Sequence, residues 1–216
     1  MQHTALAPTL PLPAATDALQ ALRHATAARH SQLDSGLPIA RADAGLADYL
    51  HHVHALSAWL QALWPALEDL QAREAGFCFA PAARLSALRE DLAHPASDPV
   101  LPWPRPSAGT QLSLDRALAR HPDQADAVRW GLAYVVEGSQ LGGQVLYRGL
   151  APRLAPHPLR TLLGEGAGTG ARWKAFMALL RARVATEPAL EAACDGAVAG
   201  FAGLQAHFEA AEGRPA

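Results

Sequence analysis

The 216-residue sequence predicts an all-α protein, a single multi-helical domain. Three observations carry that prediction. Alanine and leucine dominate, aromatic residues make up only 6% of the chain, and β-branched residues are scarce, a balance that favours helices over strands. Apolar residues recur at intervals of three and four, the period of a helix with one buried face. Most prolines gather in short clusters between those stretches, where they punctuate and do not interrupt.

Residues 1–15, with three prolines and neither a basic start nor an apolar stretch, are expected to form a flexible leader and not a signal peptide. The domain is expected over 16–212, with 213–216 as a frayed tail. Thr16 is the expected N-cap of a first helix that runs to about Asp34 and is ended by Ser35-Gly36-Leu37-Pro38. Leu19, Leu22, Thr26, His30 and Leu33 form its inward stripe. A second helix follows Asp43, and Pro65 is expected to bend or interrupt it before Leu70. A third spans about 81–93, with Leu85, Leu88 and Leu92 facing inward. The proline-rich stretch 94–106 cannot be helical. A short helix near 113–120 precedes His121-Pro122, and Pro122 suits the first turn of a long helix reaching Leu150. Pro152, Pro156 and Pro158 mark a turn region, 164–170 a flexible glycine loop, and 171–186 and 188–211 the last two helices.

The net charge is −2, and no basic cluster stands out. That balance argues against nucleic acid or an anionic membrane as partner. No apolar stretch approaches the ~20 residues of a membrane span. Cys78 and Cys194 lie far apart without metal-ligand spacing, so both are read as reduced thiols of a cytoplasmic protein.

The long helix contains the most informative segment, 134–146, in which Gly138, Gly142 and Gly143 fall within six residues. Each interior glycine costs about 0.5–1 kcal/mol relative to alanine, so the bare backbone needs a purpose. A flat or bulky ligand lying against it is one; a close helix–helix crossing is another. A nucleotide loop is disfavoured because the spacing is not GxGxxG and no βαβ context surrounds it. Residues 166–171 do match GxGxxA, but no strand precedes them.

His30 lies on the predicted inward stripe of the first helix. It is either a core histidine bonded to a carbonyl or an axial metal ligand in an apolar pocket. His24, about 120° away around the helix, cannot share its pocket. Arg23 stands two turns before His30 on the same face, as a solvated side chain or as a partner for carboxylates at the edge of a flat cofactor. Tyr134, one turn before Gly138, is a core tyrosine or a second contact to that edge. His51, His52 and His54 lack the Glu-x-x-His pairs of a di-metal bundle and are read as a solvated or loop-contacting face. Ser139 has no base at hand and does not sit in a GxSxG elbow.

Two motifs, in order and about one hundred residues apart, resemble the bacterial branch of the haem oxygenase family. Residues 22–34, LRHATAARHSQLD, are similar to the proximal helix, and 134–146, YVVEGSQLGGQVL, to the distal helix. The resemblance implies an all-α domain that holds haem b between these helices and cleaves it oxidatively to biliverdin, carbon monoxide and iron. His30 would be the iron ligand, and Gly138, Ser139, Gly142 and Gly143 would line the oxygen side. Arg23, Tyr134 and Lys174, the last within 172–177, RWKAFM, would meet the haem propionates. Ser139 stands where mammalian-type enzymes carry an aspartate, and Ala178 where they carry an arginine. Besides haem and O2, the family chemistry requires an external electron donor, a ferredoxin or a flavoprotein reductase, since no flavin or nicotinamide motif is legible. The resemblance implies a cytoplasmic monomer. A haem carrier with the same fold is the alternative; an all-α thiamin-pyrimidine hydrolase would need a cysteine in a catalytic setting, which neither Cys78 nor Cys194 has.

Overall fold

The computed structural model describes residues 17–212, without the side chains of 34, 35 and 206–212. The expected leader 1–15, the Thr16 cap and the tail 213–216 lie outside the described residues. Eight helices follow one another: α1 (Ala18–Gly36), α2 (Leu46–Gln71), α3 (Ala82–Leu92), α4 (Ala108–Arg120), α5 (Ala125–Leu150), α6 (Arg160–Leu163), α7 (Thr169–Arg183) and α8 (Glu187–Glu212). Single 3-10 turns at Pro38–Ala40, Pro122–Gln124 and Gly166–Gly168 join them, and no strand occurs among the described residues.

The helices begin where side chains can satisfy free amides. The Asp17 carboxylate accepts from Leu19 N and caps α1, and Asp48 accepts from Gly45 N at 2.8 Å at the start of α2. Ser107 accepts from Thr110 N and starts α4 five residues before the expected point. Pro122 occupies the 3-10 turn that leads into α5, as expected.

Pro65, expected to bend or interrupt α2, does not interrupt it and is carried inside one continuous helix. Burial of Leu60 and Leu63 before it and of Ala66, Leu67 and Leu70 after it holds both halves against one core. That burial outweighs a cost of about 3 kcal/mol for an interior proline. The proline-rich 94–106 segment is non-helical, as its composition requires. It is pinned by Trp103, whose indole donates to Gln61 Oε1 at 2.9 Å while Arg89 stacks over its ring.

α8 is the central packing element and lies against α1, α4 and α5. Three glycines make this possible. A Cβ on Gly131 would sit 1.8 Å from Ala193 O, and one on Gly196 would sit 2.0 Å from Val128 O. On Gly203 it would meet the Thr110 side chain at 2.5 Å. The helix crossing that the later glycines of α5 could have served is thus made two to three turns earlier, at Gly131. Phe77, Phe79, Trp130, Trp173 and Phe176 form an aromatic cluster where α7 meets α5.

A second correction concerns the histidines of α2. The His52 side chain is buried, and burial pushes its imidazole pKa down to about 4, so this is not a solvated face. His51 is exposed and meets Ala47 O at 2.8 Å. No group of metal-ligating side chains occurs among the described residues. α6 was not anticipated. Its first amides, Arg160 N and Thr161 N, donate to the buried Asp91 carboxylate of α3 at 3.0 and 2.7 Å. Asp91 also accepts from the Tyr49 hydroxyl.

Candidate functional site: the glycine face of α5 and the facing side of α1

The glycines of α5 do not share one role. At Gly142 a Cβ would meet no atom within 4 Å outside its own helix, and at Gly138 only the Trp173 ring, at 3.8 Å. These positions, four apart on one face, are left open by the chain. A Cβ on Gly143 would instead meet Leu162 of α6 in ordinary van der Waals contact, with Leu162 O at 3.4 Å, so this position lies toward α6.

α1 approaches this face at Tyr134, one turn before Gly138. The Tyr134 hydroxyl lies within reach of Arg23 and Thr26 of α1, and its ring packs against Trp173 of α7 at 5.7 Å. Burial raises its pKa, against the pull of the Arg23 charge and of hydrogen bonding with Thr26 and Arg23. Thr26 is itself buried and donates to Leu22 O at 2.8 Å. His30 follows Thr26 by one turn on the same side of α1. It was expected on the buried stripe but is exposed. The reason is that α1 is buried mainly through Leu22 and Thr26, whereas the His30 ring lies at the edge of α8 against Phe201, with centroids 5.7 Å apart. Lys174, next to Trp173 on α7, is exposed, as is Arg23.

Ser139 looks elsewhere. Its hydroxyl donates to Val136 O at 2.8 Å, and it lines a cavity of about 130 Å³ with Val136 and Gln140 of α5, Leu56 of α2, Arg84 of α3 and Thr161 of α6. Val136 and Gln140 each lie two residues from Gly138, about 200° around the helix. The cavity is therefore behind α5 as seen from the glycine face, with Ser139 at its flank. It is too small for a porphyrin, since pockets for such ligands run to about 300–1,000 Å³. The Arg84 Nη1 and Thr161 Oγ1 atoms are buried without hydrogen-bond partners among the described residues, so this space is polar enough to hold water.

One functional neighbour is not singled out by sequence. Trp173 directly precedes the expected contact Lys174 in the chain, yet its ring lies against both Tyr134 and Gly138. An aromatic residue one position before the lysine was visible, but nothing in its spacing said which helix it would meet.

The model of the heme oxygenase family matches residues 16–210. The chain belongs to the haem oxygenase family. A protein of Xanthomonas campestris pv. campestris (strain 8004) described as heme oxygenase is 37% identical over 140 residues, which cover 61% of this chain and 70% of that protein. No solved structure matches. Membership in the haem oxygenases makes the chain an enzyme, with haem as the molecule it binds and cleaves. The face at Gly138 and Gly142 fits such a substrate, because backbone without Cβ atoms lets a planar macrocycle approach closely. No helix among the described residues is long and apolar enough to cross a membrane.

Proposed function

We propose that haem b lies against the Gly138 and Gly142 face of α5, with the His30 imidazole of α1 as the ligand of its iron. The observation that carries this reading is the open glycine face next to the Tyr134–Arg23–Thr26 contact that ties α5 to α1. When bound, haem supplies the iron at which O2 is reduced and the ring that is cleaved to biliverdin, carbon monoxide and iron. The protein's own residues bind, orient and shield it.

His30 is exposed, so its ring nitrogen reaches a ligand without first opening the core. The exposed Arg23 and Lys174 supply cations for the two propionates, and the Tyr134 hydroxyl offers a hydrogen bond beside Arg23. Burial keeps Tyr134 protonated, so it acts as a neutral donor. Trp173 walls the site next to Gly138. Ser139 does not face the ring directly. Its hydroxyl, held by Val136 O, keeps its oxygen available to accept from water in the cavity behind α5. Gly143 lies beside Leu162 of α6. Electrons arrive from a separate ferredoxin or flavoprotein reductase.

The test is titration of the purified protein with haemin, followed by one turnover with O2 and a reductant. One equivalent binding and biliverdin formation are the expected results. Binding without biliverdin would leave a carrier, and no binding would end the proposal.

A further inference from the structure

The carboxylate of Glu137 sits immediately before Gly138 and is almost wholly enclosed, with its side chain 3% exposed. Arg172 of α7 grips it with two parallel bonds, Nε to Oε2 and Nη2 to Oε1, each 2.8 Å. Arg84 of α3 adds a third, Nη2 to Oε2 at 2.9 Å. Arg172 also donates to Cys78 O, pairs with Glu165 at 3.3 Å and stacks on the Phe77 ring at 4.3 Å. Two guanidinium groups from different helices thus converge on one buried carboxylate of α5.

The next residue on each helix makes the site. Glu137 pairs with Arg172, and directly after them the Trp173 ring lies over Gly138, where a Cβ would meet it at 3.8 Å. A bidentate carboxylate–guanidinium pair is rigid and directional. It therefore fixes both the rotation of α5 about its axis and the distance to α7 at the point where the open face begins.

We infer that Glu137 is a positioning residue: through Arg172 and Arg84 it locks Gly138, where the glycine face begins, against Trp173 of α7, and so sets how haem is rotated in the site and which carbon of its ring is cut. The part that concerns haem rests on the function proposed above. The part that concerns the helix face stands without it. Loss of the carboxylate leaves the half-buried Arg84 and Arg172 without their shared counter-charge and removes the fork that joins α5 to α7. The glycines, which add no side-chain packing of their own, are the first residues to loosen.

The experiment compares wild type with Glu137→Gln, which keeps the shape, and Arg172→Lys, which keeps the charge and loses the fork. Amide hydrogen exchange of the apoprotein is read over 138–143, with α4 and α8 as internal controls. Expected is exchange at least tenfold faster over 138–143 in both variants, with α4 and α8 unchanged. Haemin is then expected to bind with the wild-type axial spectrum but to give a biliverdin isomer ratio shifted at least threefold. Exchange at the wild-type rate over 138–143, or acceleration spread equally through α4 and α8, overturns the positioning role. An unchanged isomer ratio with loosened glycines overturns the claim on haem orientation. Failure of wild type to bind haemin removes the proposed function and, with it, the claim on haem, while the exchange comparison still decides the positioning of the helix face.

Discussion

Gly131 of α5 and Ala193 of α8 lie in backbone contact, so that a Cβ on the glycine would fall 1.8 Å from the Ala193 carbonyl oxygen. Eleven residues along the same helix, Gly142 has nothing within 4 Å of the same hypothetical atom. One helix therefore uses glycine for opposite purposes: to admit another helix, and to leave space that no part of the chain fills. Gly131→Ala is expected to destabilise the protein by about 3 kcal/mol or more, because backbone and not a flexible side chain stands in the way. Gly142→Ala is expected to stabilise it by about 0.5–1 kcal/mol through helix propensity, while lowering haem turnover by on the order of ten- to a hundredfold through misplacement of the ring. Thermal melts and single-turnover rates of the two variants check this. A Gly142→Ala enzyme with full turnover would show that the open face is not where haem lies.

His30→Ala tests the ligand. Because His30 is exposed, its removal is expected to change stability by less than about 1 kcal/mol. The axial-histidine signature of bound haemin is expected to vanish. A spectrum like that of wild type would assign the iron to another side chain.

Arg23→Ala and Lys174→Ala remove exposed cations. Each is expected to leave the melting temperature within a degree or two and to weaken haemin binding by about two- to fivefold, the range of an exposed ion pair. Ionic strength decides the mechanism: the deficit shrinks as salt rises, since screening weakens the wild-type contact as well. A salt-independent loss would point to packing and not to propionate pairing.

Stability is expected to fall on acidification through the buried His52. Burial depresses its pKa from the ordinary 6.5 to about 4, so the native state keeps it neutral while the unfolded chain takes up a proton. The unfolded state binds more protons between pH 6.5 and 4, and native stability therefore falls as pH drops through that window. The loss amounts to at most about 3 kcal/mol for this group. Denaturant melts of wild type and His52→Gln from pH 7.5 to 4.5 measure it. Equal slopes for the two proteins would remove His52 as the cause.

The helical architecture was readable because it depends on local physics. Spacing of apolar residues, proline punctuation and capping side chains produced α1, α3 and α5 within a few residues of their observed bounds. The misreadings share one origin. Pro65 breaks a helix in isolation but not one buried on both sides of the proline. α6 has only four residues, too few for periodicity to register, and it is held by the Asp91 carboxylate from another helix. In the site, the glycine segment and the Arg23, Thr26, His30 face were both legible as separate stripes.

The sequence by itself determined an all-α chain, a glycine-bared stretch in its long helix and a histidine on its first helix, because composition, period and motif are properties of the chain. Only the tertiary structure decided which glycine meets a helix and which meets open space, that His30 is exposed while His52 is buried, and that Ser139 looks toward a cavity behind the glycine face. It also paired Glu137 with Arg172 so that Gly138 falls under Trp173. The physical reason is that burial and contact depend on which neighbour each face receives. Residues 131 and 142 are both glycine, and they differ only in what lies opposite.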